Sequence, residues 1–361
     1  MLRTDPAVFA VGKNYQIIIT SRSQSFISIK VGDELFVDHS NGILRSASRT
    51  HNIEVPQELL NSEKSYTVIE KPIIKRLPYF TQTRKDRFYP YDFRPVPDEN
   101  PVCYHIADSH NDIERPVKAA KAYGKIDFLI LNGDVPEDSG RTENFNTIFD
   151  ICAKITHGNI PVVFARGNHD LRGKCAEKFA DYAPAKNGKT YYSFRLGKIW
   201  GLCLDCGEDK NDSNPEYGCT VACHRFRLEE TDYIKSLIQN ASEEYKEEKD
   251  LLKLIVVHMP FTHKDKPPFD IEEDIYREWA ALLKKSIKPD LMLCGHTHKT
   301  GIFEPGCDYD DYGQPCKLLI ASAVKKGKSF TGTGIVFGKD SAQLTFTSSN
   351  GKKQSETLSY K

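Results

Sequence analysis

The feature that most constrains this chain is a series of apolar runs that each end in aspartate, asparagine or histidine. Five such runs follow residue 102, and segments with helical spacing separate several of them. The runs end in the peptides IADSH, LNGD, ARGNHD, VVHMP and LCGHTH. Strands and helices in alternation are typical of a layered α/β fold. The pattern therefore predicts an α/β domain in which five strand ends carry polar side chains.

These strand ends predict a metal site. In open α/β sheets, ligands bind in the crevice beyond the carboxyl ends of the strands, so the side chains of these ends should meet there. The candidate ligands are Asp108, His110, Asp134, Asn168, His258, His296 and His298. Each motif is a weak signal when it stands by itself, whereas five of them with only metal-competent side chains are a strong one.

The residue types suggest a pair of metal ions. Two divalent cations about 3.5–4 Å apart need a bridging anionic ligand, and the two oxygens of a carboxylate can span them. Asp134 is the expected bridge, because Gly133 lets the backbone turn closely there. Imidazole suits zinc, iron and manganese, and which of these is bound stays open. A bridging hydroxide formed from water between such ions can attack phosphorus, which predicts phosphoester hydrolysis.

The order D-x-H, G-D, G-N-H-D, strand-terminal His and G-H-x-H resembles the calcineurin-like metallophosphoesterase superfamily. The resemblance covers roughly residues 102–345 and implies a four-layer α-β-β-α sandwich. It also implies which residues hold each ion. One ion would bind Asp108, His110, Asp134 and His298, and the other Asp134, Asn168, His258 and His296.

The resemblance further implies two catalytic residues beside the ligands. His169 would protonate the leaving group or contact the phosphate, and Asp170 would orient the His169 ring. Two substrate-binding candidates come from the residues themselves. Arg166 is suited to phosphate, with a surface salt bridge as the equal alternative. His263 follows the His258 strand end on a loop that could face substrate.

Residues 1–98 have a different pattern and predict a separate β-rich domain with its linker. Short alternating runs without a convincing helix indicate a small all-β, fibronectin-like sandwich, and Gly32-Asp33 suits a hairpin turn. The catalytic domain would then span residues 99–361. A β-domain ahead of the site is similar to purple acid phosphatases. However, their tyrosine ligand is replaced here by Glu137, and His110 is a ligand position that they lack.

The segment 71–101 is rich in proline, arginine and aromatic residues. It is interpreted as a packed linker, with a substrate-facing surface as the alternative. Its part 75–94 is the one candidate for a basic, aromatic nucleic-acid surface, which a nuclease would need. Fifty basic and fifty acidic residues leave no net charge, so nucleic acid is not the favoured partner.

No run approaches the roughly 18 apolar residues of a membrane span, and no secretory signal begins the chain, so we expect a cytoplasmic protein without a membrane partner. The ten cysteines should accordingly be reduced. Four of them, Cys203, Cys206, Cys219 and Cys223, have zinc-like spacing. Because Cys203 lies in an apparent core strand, a zinc site there is the less favoured alternative.

Three functions are compatible with the sequence. The favoured one is hydrolysis of a phosphorylated small molecule, either a phosphomonoester or a phosphodiester. The first alternative is a nuclease that cleaves nucleic-acid phosphodiesters. The second is a non-catalytic scaffold of the same fold, which the retention of His169 and all seven candidate ligands disfavours.

Overall fold

The computed structural model describes residues 1–39, 42–246, 250–325 and 328–360. The first hundred residues are mainly strands. These are β1 (Ala7–Val11), β2 (Asn14–Val31), β3 (Glu34–Val37), β4 (Ser48–Pro56), β5 (Ser65–Arg76), β6 (Thr81–Thr83) and β7 (Arg87–Asp92), with one helix, α1 (Gln57–Glu63), between β4 and β5.

Strands and helices then alternate, as the sequence predicts. The elements up to the middle of the chain are β8 (Val102–Ile106), α2 (Glu114–Tyr123), β9 (Phe128–Asn132), α3 (Asn146–Thr156), β10 (Val162–Ala165), β11 (Tyr192–Leu196), β12 (Ile199–Leu204) and α4 (Cys223–Gln239). The remaining ones are β13 (Leu252–Val257), α5 (Glu273–Leu282), β14 (Leu291–Cys294), β15 (Gly301–Phe303), β16 (Lys317–Ile320), β17 (Ala323–Lys325), β18 (Ser329–Phe337), β19 (Ser341–Ser348) and β20 (Lys353–Ser359).

Two sheets pack face to face between two layers of helices. One sheet contains β8, β9 and β10, and the other has the order β11-β12-β13-β14-β16-β15. Strand alternation divides the core: Ile130 and Val256 face the space between the sheets, whereas Leu129 faces the helices α2 and α3. Ile255 faces α4 and α5 on the opposite side. The predicted four-layer α-β-β-α sandwich with a strand-rich region before it is confirmed.

The strands of the first hundred residues continue the first sheet. β1 pairs in parallel with β10, with Phe9 opposite Val162, and antiparallel with β2. Val8 packs between the two sheets and Phe9 packs toward the helices, so β1 contributes to both layers of core. β2 then leads to β4 on one side and β5 on the other. The division of the chain at residue 98 stays a prediction.

Three details differ from the sequence-based expectations. A short helix, α1, occurs in the region where no helix was expected. About half of the segment 71–101 is strand, because β5 extends to Arg76 and β6 and β7 pair with it. The residue pattern over 226–252 predicts one long helix. The observed helix α4 ends at Gln239, a short π-helix follows over Ser242–Lys246, and residues 247–249 lie outside the described part. No helix among the described residues has the length and apolar character needed to cross a bilayer.

Candidate metal centre

The predicted ligands lie where the backbone turns sharply at the ends of strands. Five of them have left-handed backbone conformations, which non-glycine residues adopt rarely and mainly at functional sites. They are Asp108 (φ 59°), His110 (φ 47°), Asp134 (φ 51°), His296 (φ 69°) and His298 (φ 59°). Gly133 and Gly167 bring these turns close together, since a Cβ on Gly133 would lie 2.5 Å from Nδ1 of His258.

Two groups of side chains converge at these turns. In the first group, Asp108, His110 and His298 bring their ligand atoms within 4.8 Å of one another. Nε2 of His110 lies 3.2 Å from Nε2 of His298, which in turn lies 3.4 Å from Oδ1 of Asp108. Two imidazole nitrogens and a carboxylate oxygen therefore face a common point.

The second group contains Asp134, His258 and His296, again within 4.8 Å. Nε2 of His258 lies 3.1 Å from Oδ2 of Asp134 and 3.7 Å from Oδ1 of Asp108, so the two groups adjoin. The side-chain oxygen of Asn168 lies 3.2 Å from Nδ1 of His296 and joins this group. All seven predicted ligands are thus brought together.

Electrostatics keep the central carboxylate charged. Burial would raise the pKa of Asp134, but the nearby imidazoles, His258 first, outweigh burial and hold that pKa below its usual range. Burial likewise opposes a charge on His258, whereas Asp134 and then Asp108 raise the pKa of its imidazole to about 10. A metal ion bound here would displace a proton from this ring.

Hydrogen bonds orient the ligand nitrogens toward the shared space. The carbonyl oxygen of Asn132 lies 2.7 Å from Nδ1 of His258, which places a proton on Nδ1 and turns Nε2 inward. Within the described part of the chain, that buried Nε2 has no hydrogen-bond partner of suitable geometry. A buried, unsatisfied nitrogen beside two carboxylates is the donor set expected of a metal site.

His169 lies at the edge of the first group. Its ring packs edge-on against His110, with 4.7 Å between centroids. Nδ1 lies 2.8 Å from the carbonyl oxygen of Glu137, and Nη1 of Arg172 lies 3.0 Å from Nε2. The expected contact between Asp170 and this ring is replaced by the Glu137 carbonyl. The Asp170 carboxylate instead accepts the backbone N–H of Gly167 at 2.7 Å.

The two substrate-binding candidates have other partners. Nε of Arg166 lies 2.6 Å from the fully buried Asp205, and its guanidinium stacks over Phe226. The salt-bridge alternative is therefore the one observed, although the pair is buried and not at the surface. Nδ1 of His263 contacts Asp311 at 2.9 Å, and the His263 ring stacks on Tyr309.

Sequence reasoning missed a network that supports the site. Arg172 donates to Glu208 and Asp209, and Asp209 also accepts the Asn168 side-chain N–H at 3.3 Å. The signal was present in LCLDCGEDK, where a sixth strand, β12, ends in acidic residues. His105 has no strand-end pattern that would mark it in the sequence, yet it is buried and contacts Asn132 at 3.0 Å.

The four zinc-spaced cysteines do not form a group. Cys203 packs between the two sheets, whereas Cys206 packs on the helix side of the second sheet. Cys219 is exposed and the Cys223 sulfur accepts the backbone N–H of Glu208. Among the described residues, the metal-competent clusters contain histidine, aspartate and glutamate but no cysteine.

Comparison with known proteins places this geometry in a family. The family model for calcineurin-like phosphoesterases matches residues 102–300, more than half of the chain, and this match includes all seven predicted ligands. The chain belongs to this family. It is a metal-dependent phosphoester hydrolase, and the family implies a dinuclear metal centre. No curated protein matches the chain.

Solved structures share the fold at low identity. A purple acid phosphatase, PPD1 from yellow lupin (Lupinus luteus) seeds, is 13% identical with a TM-score of 0.58. The match covers 99% of this chain and 74% of that one, so the likeness of fold includes the strand-rich first hundred residues. A dimetal phosphatase from Danio rerio is 11% identical with a TM-score of 0.48, and the match covers 73% of this chain and all of that one.

Proposed function

We propose that the protein hydrolyses a phosphorylated small molecule at two metal ions that share Asp134. The observation that carries the proposal is the adjacency of two ligand groups, one containing Asp108 and the other Asp134, with Nε2 of His258 in the second group 3.7 Å from Asp108 in the first. The ions would be held as the resemblance implies, with manganese, iron or zinc suited to the mixture of imidazole and carboxylate ligands. When bound, such ions supply an activated water and neutralise charge on the phosphoryl oxygens.

The chain positions each ligand through a partner of its own. The backbone N–H of His169 donates to Oδ1 of Asp134 at 2.9 Å and fixes the plane of the bridging carboxylate. Asp209 binds the amide nitrogen of Asn168 and leaves the amide oxygen for metal. The backbone N–H of His296 lies 3.1 Å from both carboxylate oxygens of Asp108.

His169 and Arg172 are suited to bind the phosphoryl group. His169 donates its Nδ1–H to the Glu137 carbonyl oxygen, so its Nε2 faces Arg172. The ring lies beside His110. Arg172 is held by Glu208 and Asp209 through Nε and Nη2, so Nη1 is the end that reaches this edge of the site. A guanidinium fixed in this way donates well to phosphoryl oxygens. We therefore assign the phosphate contact to Arg172. His169 would join it only with a proton on Nε2, because a neutral Nε2 accepts from Arg172 and presents a lone pair to the phosphoryl oxygens.

The other predicted site residues take supporting roles in this proposal. Asp170 fixes the Gly167 turn that carries Asn168 and His169. Arg166 anchors the segment after β12 through Asp205. His263 retains its predicted place on a loop after β13, and its contacts do not include the seven proposed ligands.

A small molecule is favoured over nucleic acid by the position of the basic segment. Residues 75–94 lie on or near β5, β6 and β7, and β1 and β2 separate those strands from β10 in the sheet. The segment therefore does not extend the row of strand ends that carries the metal ligands. A non-catalytic scaffold is disfavoured because His169 and all seven candidate ligands are retained.

The proposal is tested with a substrate panel on manganese-loaded protein. The panel contains p-nitrophenyl phosphate, its bis ester, cyclic nucleotides, nucleoside polyphosphates and single-stranded DNA. We expect turnover of a small phosphoester that chelation abolishes and manganese restores. Cleavage of DNA alone would favour a nuclease, and two bound ions without turnover of any compound would favour the scaffold.

A further inference from the structure

Two loops of the strand-rich region, whose bases lie near each other, present apolar side chains to solvent. The hairpin between β5 and β6 has Tyr79 99% exposed, with Phe80 and Ile74 more than half exposed. The loop between β3 and β4 has Ile43 85% exposed and Leu44 63% exposed. Grouped exposed apolar side chains of this kind mark an interaction surface, unlike isolated ones.

The sheet pairing brings the bases of these two loops to the same level of β2. Ser25 of β2 lies opposite Ser48 of β4 on one side and opposite Pro72 of β5 on the other. The loop that enters β4 and the hairpin that leaves β5 therefore begin at the same level of β2, on its two sides. A cavity between them is lined by Ser48 and Arg49 on one side and by residues 73–76 on the other. We call Ile43, Leu44, Ile74, Tyr79 and Phe80 the apolar tip.

Basic side chains surround the apolar tip. Residues 71–87 contain six basic residues and one acidic residue in a chain that has no net charge. Lys71 pairs with Asp86 and Arg87 pairs with Glu70. Within the described ranges, the other four basic residues of this stretch and the nearby Arg49 form no ion pair. We call these five, Arg49, Lys75, Arg76, Arg84 and Lys85, the basic collar.

Against the sequence-based expectation of no membrane partner, we infer that these two loops bind the surface of an anionic lipid bilayer. Aliphatic and aromatic side chains at a protruding tip can enter the boundary between headgroups and acyl chains. Clusters of four to eight lysines and arginines next to such a tip are suited to anionic headgroups. The basic collar is therefore complementary to an anionic surface. The apolar tip favours a surface that has a hydrocarbon layer beneath it, as a lipid bilayer does.

The arrangement of the side chains favours a bilayer over single-stranded nucleic acid. Nucleic-acid surfaces alternate aromatic and basic residues, so that bases stack while phosphates pair. Here Leu77, Pro78, Tyr79 and Phe80 are consecutive, whereas the basic collar lies outside this run, on β4, on β5 and between β6 and β7. Three of the five tip residues are aliphatic, which stack poorly on bases but partition well into lipid.

Vesicle cosedimentation of the full chain tests the inference. The wild type is mixed with vesicles of pure phosphatidylcholine or of phosphatidylcholine with about 30% phosphatidylserine, at 0.1 M and 0.5 M salt. We expect binding to the anionic vesicles at low salt, and little at high salt because the Debye length falls from about 10 Å to about half that value. Fluorescence anisotropy with labelled oligothymidylate is measured in parallel.

Two paired substitutions separate the tip from the collar. Lys75→Gln with Arg76→Gln should weaken binding about 30-fold, since each basic residue near an anionic surface contributes about fivefold. Tyr79→Ser with Phe80→Ser should weaken it at least about tenfold. The controls are Lys284→Gln with Lys285→Gln and the single change Phe88→Ser, which alter exposed residues outside both loops; Phe88 is as exposed as Phe80. Thermal unfolding verifies that every variant is folded.

Loss of binding in both test variants, with both controls unchanged, supports the inference. Absence of vesicle binding by the wild type would overturn it. Equal binding to uncharged vesicles, or equal loss in the controls, would do the same. Binding to oligothymidylate without binding to vesicles would assign the surface to nucleic acid instead.

Discussion

Two arginines flank the Asn168-His169 pair, and their surroundings give them different roles. Arg166 is mostly buried, pairs with the buried Asp205 and stacks on Phe226. Arg172 is a quarter exposed and reaches Nε2 of His169. The sequence alone suggested Arg166 as the phosphate residue, whereas the contacts favour Arg172.

This difference gives separable predictions for the two arginines. Arg172→Gln should raise KM for a phosphomonoester at least about tenfold while metal content stays unchanged, because a charged donor to phosphate is lost. Arg166→Gln should instead lower the free energy of unfolding by about 3 kcal/mol, because Asp205 is left as an unpaired buried charge. Steady-state kinetics and denaturant unfolding of both variants decide the matter. A KM effect in Arg166→Gln alone would reverse the assignment.

His105 is a buried histidine that should make the fold sensitive to acid. Burial lowers its pKa to about 3, and the nearby Asp108 offsets only part of this shift. In the unfolded chain the His105 imidazole binds a proton near pH 6.5. As the pH falls below this value, the unfolded state is therefore protonated at His105 while the folded state is not, and unfolding is favoured. The stability that a neutral His105 contributes is therefore present above pH 6.5 and is lost progressively between pH 6.5 and 3.

We expect His105→Gln to flatten this dependence. Glutamine can still contact Ser322 and Asn132, which His105 contacts in the wild type. Between pH 6 and 4, the free energy of unfolding should fall less steeply in the variant, by about 1.4 kcal/mol per pH unit. Urea unfolding at a series of pH values measures the slope. Parallel slopes in the two proteins would show that His105 is not the titrating group.

The convergence of the seven candidate ligands could be predicted from sequence, because metal chemistry limits the residue types and the strand ends fix their order. Their supporting partners could not. Asn132 acts through its backbone carbonyl on His258, and the Glu137 carbonyl acts on His169. Every residue type carries a backbone carbonyl, so no sequence pattern indicates which carbonyl will act as a partner. Arg172 and Asp209 are recognisable only when β10 and β12 are known to end side by side.

Among the loops at the strand ends, glycines set how closely the ligands approach. An added Cβ on Gly167 would clash with the backbone N and the carboxylate of Asp134. Gly295 is similar, because its Cβ would lie 2.9 Å from Oδ2 of Asp108. Glycine is needed at these positions because a side chain would overlap the ligand carboxylates. The glycines therefore form part of the strand-end motifs that the sequence shows.

Gly167→Ala should therefore displace Asp134 and weaken metal binding at least about tenfold at both sites. Isothermal titration with manganese measures this effect. Gly351→Ala is the control, because Gly351 has a positive φ of 88° and no atom within 4 Å of the added Cβ. It should cost about 1 kcal/mol of stability through backbone strain and leave metal affinity unchanged. Unaltered affinity in Gly167→Ala would contradict the packing account.

Element boundaries were predicted well where periodicity was strong and poorly where neighbouring strands decide the structure. The residue spacing predicts helices over 113–125 and 141–158, and α2 and α3 lie within these ranges. The alternating runs at 15–20 and 25–31 predict two strands. They form one strand, β2, which pairs with β4 over residues 14–20 and with β5 over residues 25–30. Such pairing is a tertiary effect that local sequence does not contain.

At the scale of the whole molecule, the pairing of β1 with β10 joins the first 98 residues to the predicted catalytic domain in one sheet. The core between the sheets includes Val8 and Ile17 from the first hundred residues together with Val163 and Phe194. Gly12 also donates a backbone hydrogen bond to Ser193 at 2.7 Å. Removing residues 1–98 would expose this apolar surface and an unpaired strand edge.

We expect residues 99–361 produced without the first 98 to aggregate or to unfold without a cooperative transition. The complete chain should unfold in one transition, because its two parts share a core. Size-exclusion chromatography and thermal melting followed by circular dichroism compare the two proteins. A folded, monomeric 99–361 that binds manganese would support two separable domains.

The central claim is that catalysis needs two metal ions held around Asp134. Its most direct test is a manganese titration of chelated protein in which bound metal and hydrolysis of a small phosphoester are measured on the same samples. Turnover should appear only as the second ion binds, and Asp134→Asn should weaken both sites together. Full activity with one ion or none, or loss of a single ion in Asp134→Asn, would contradict it.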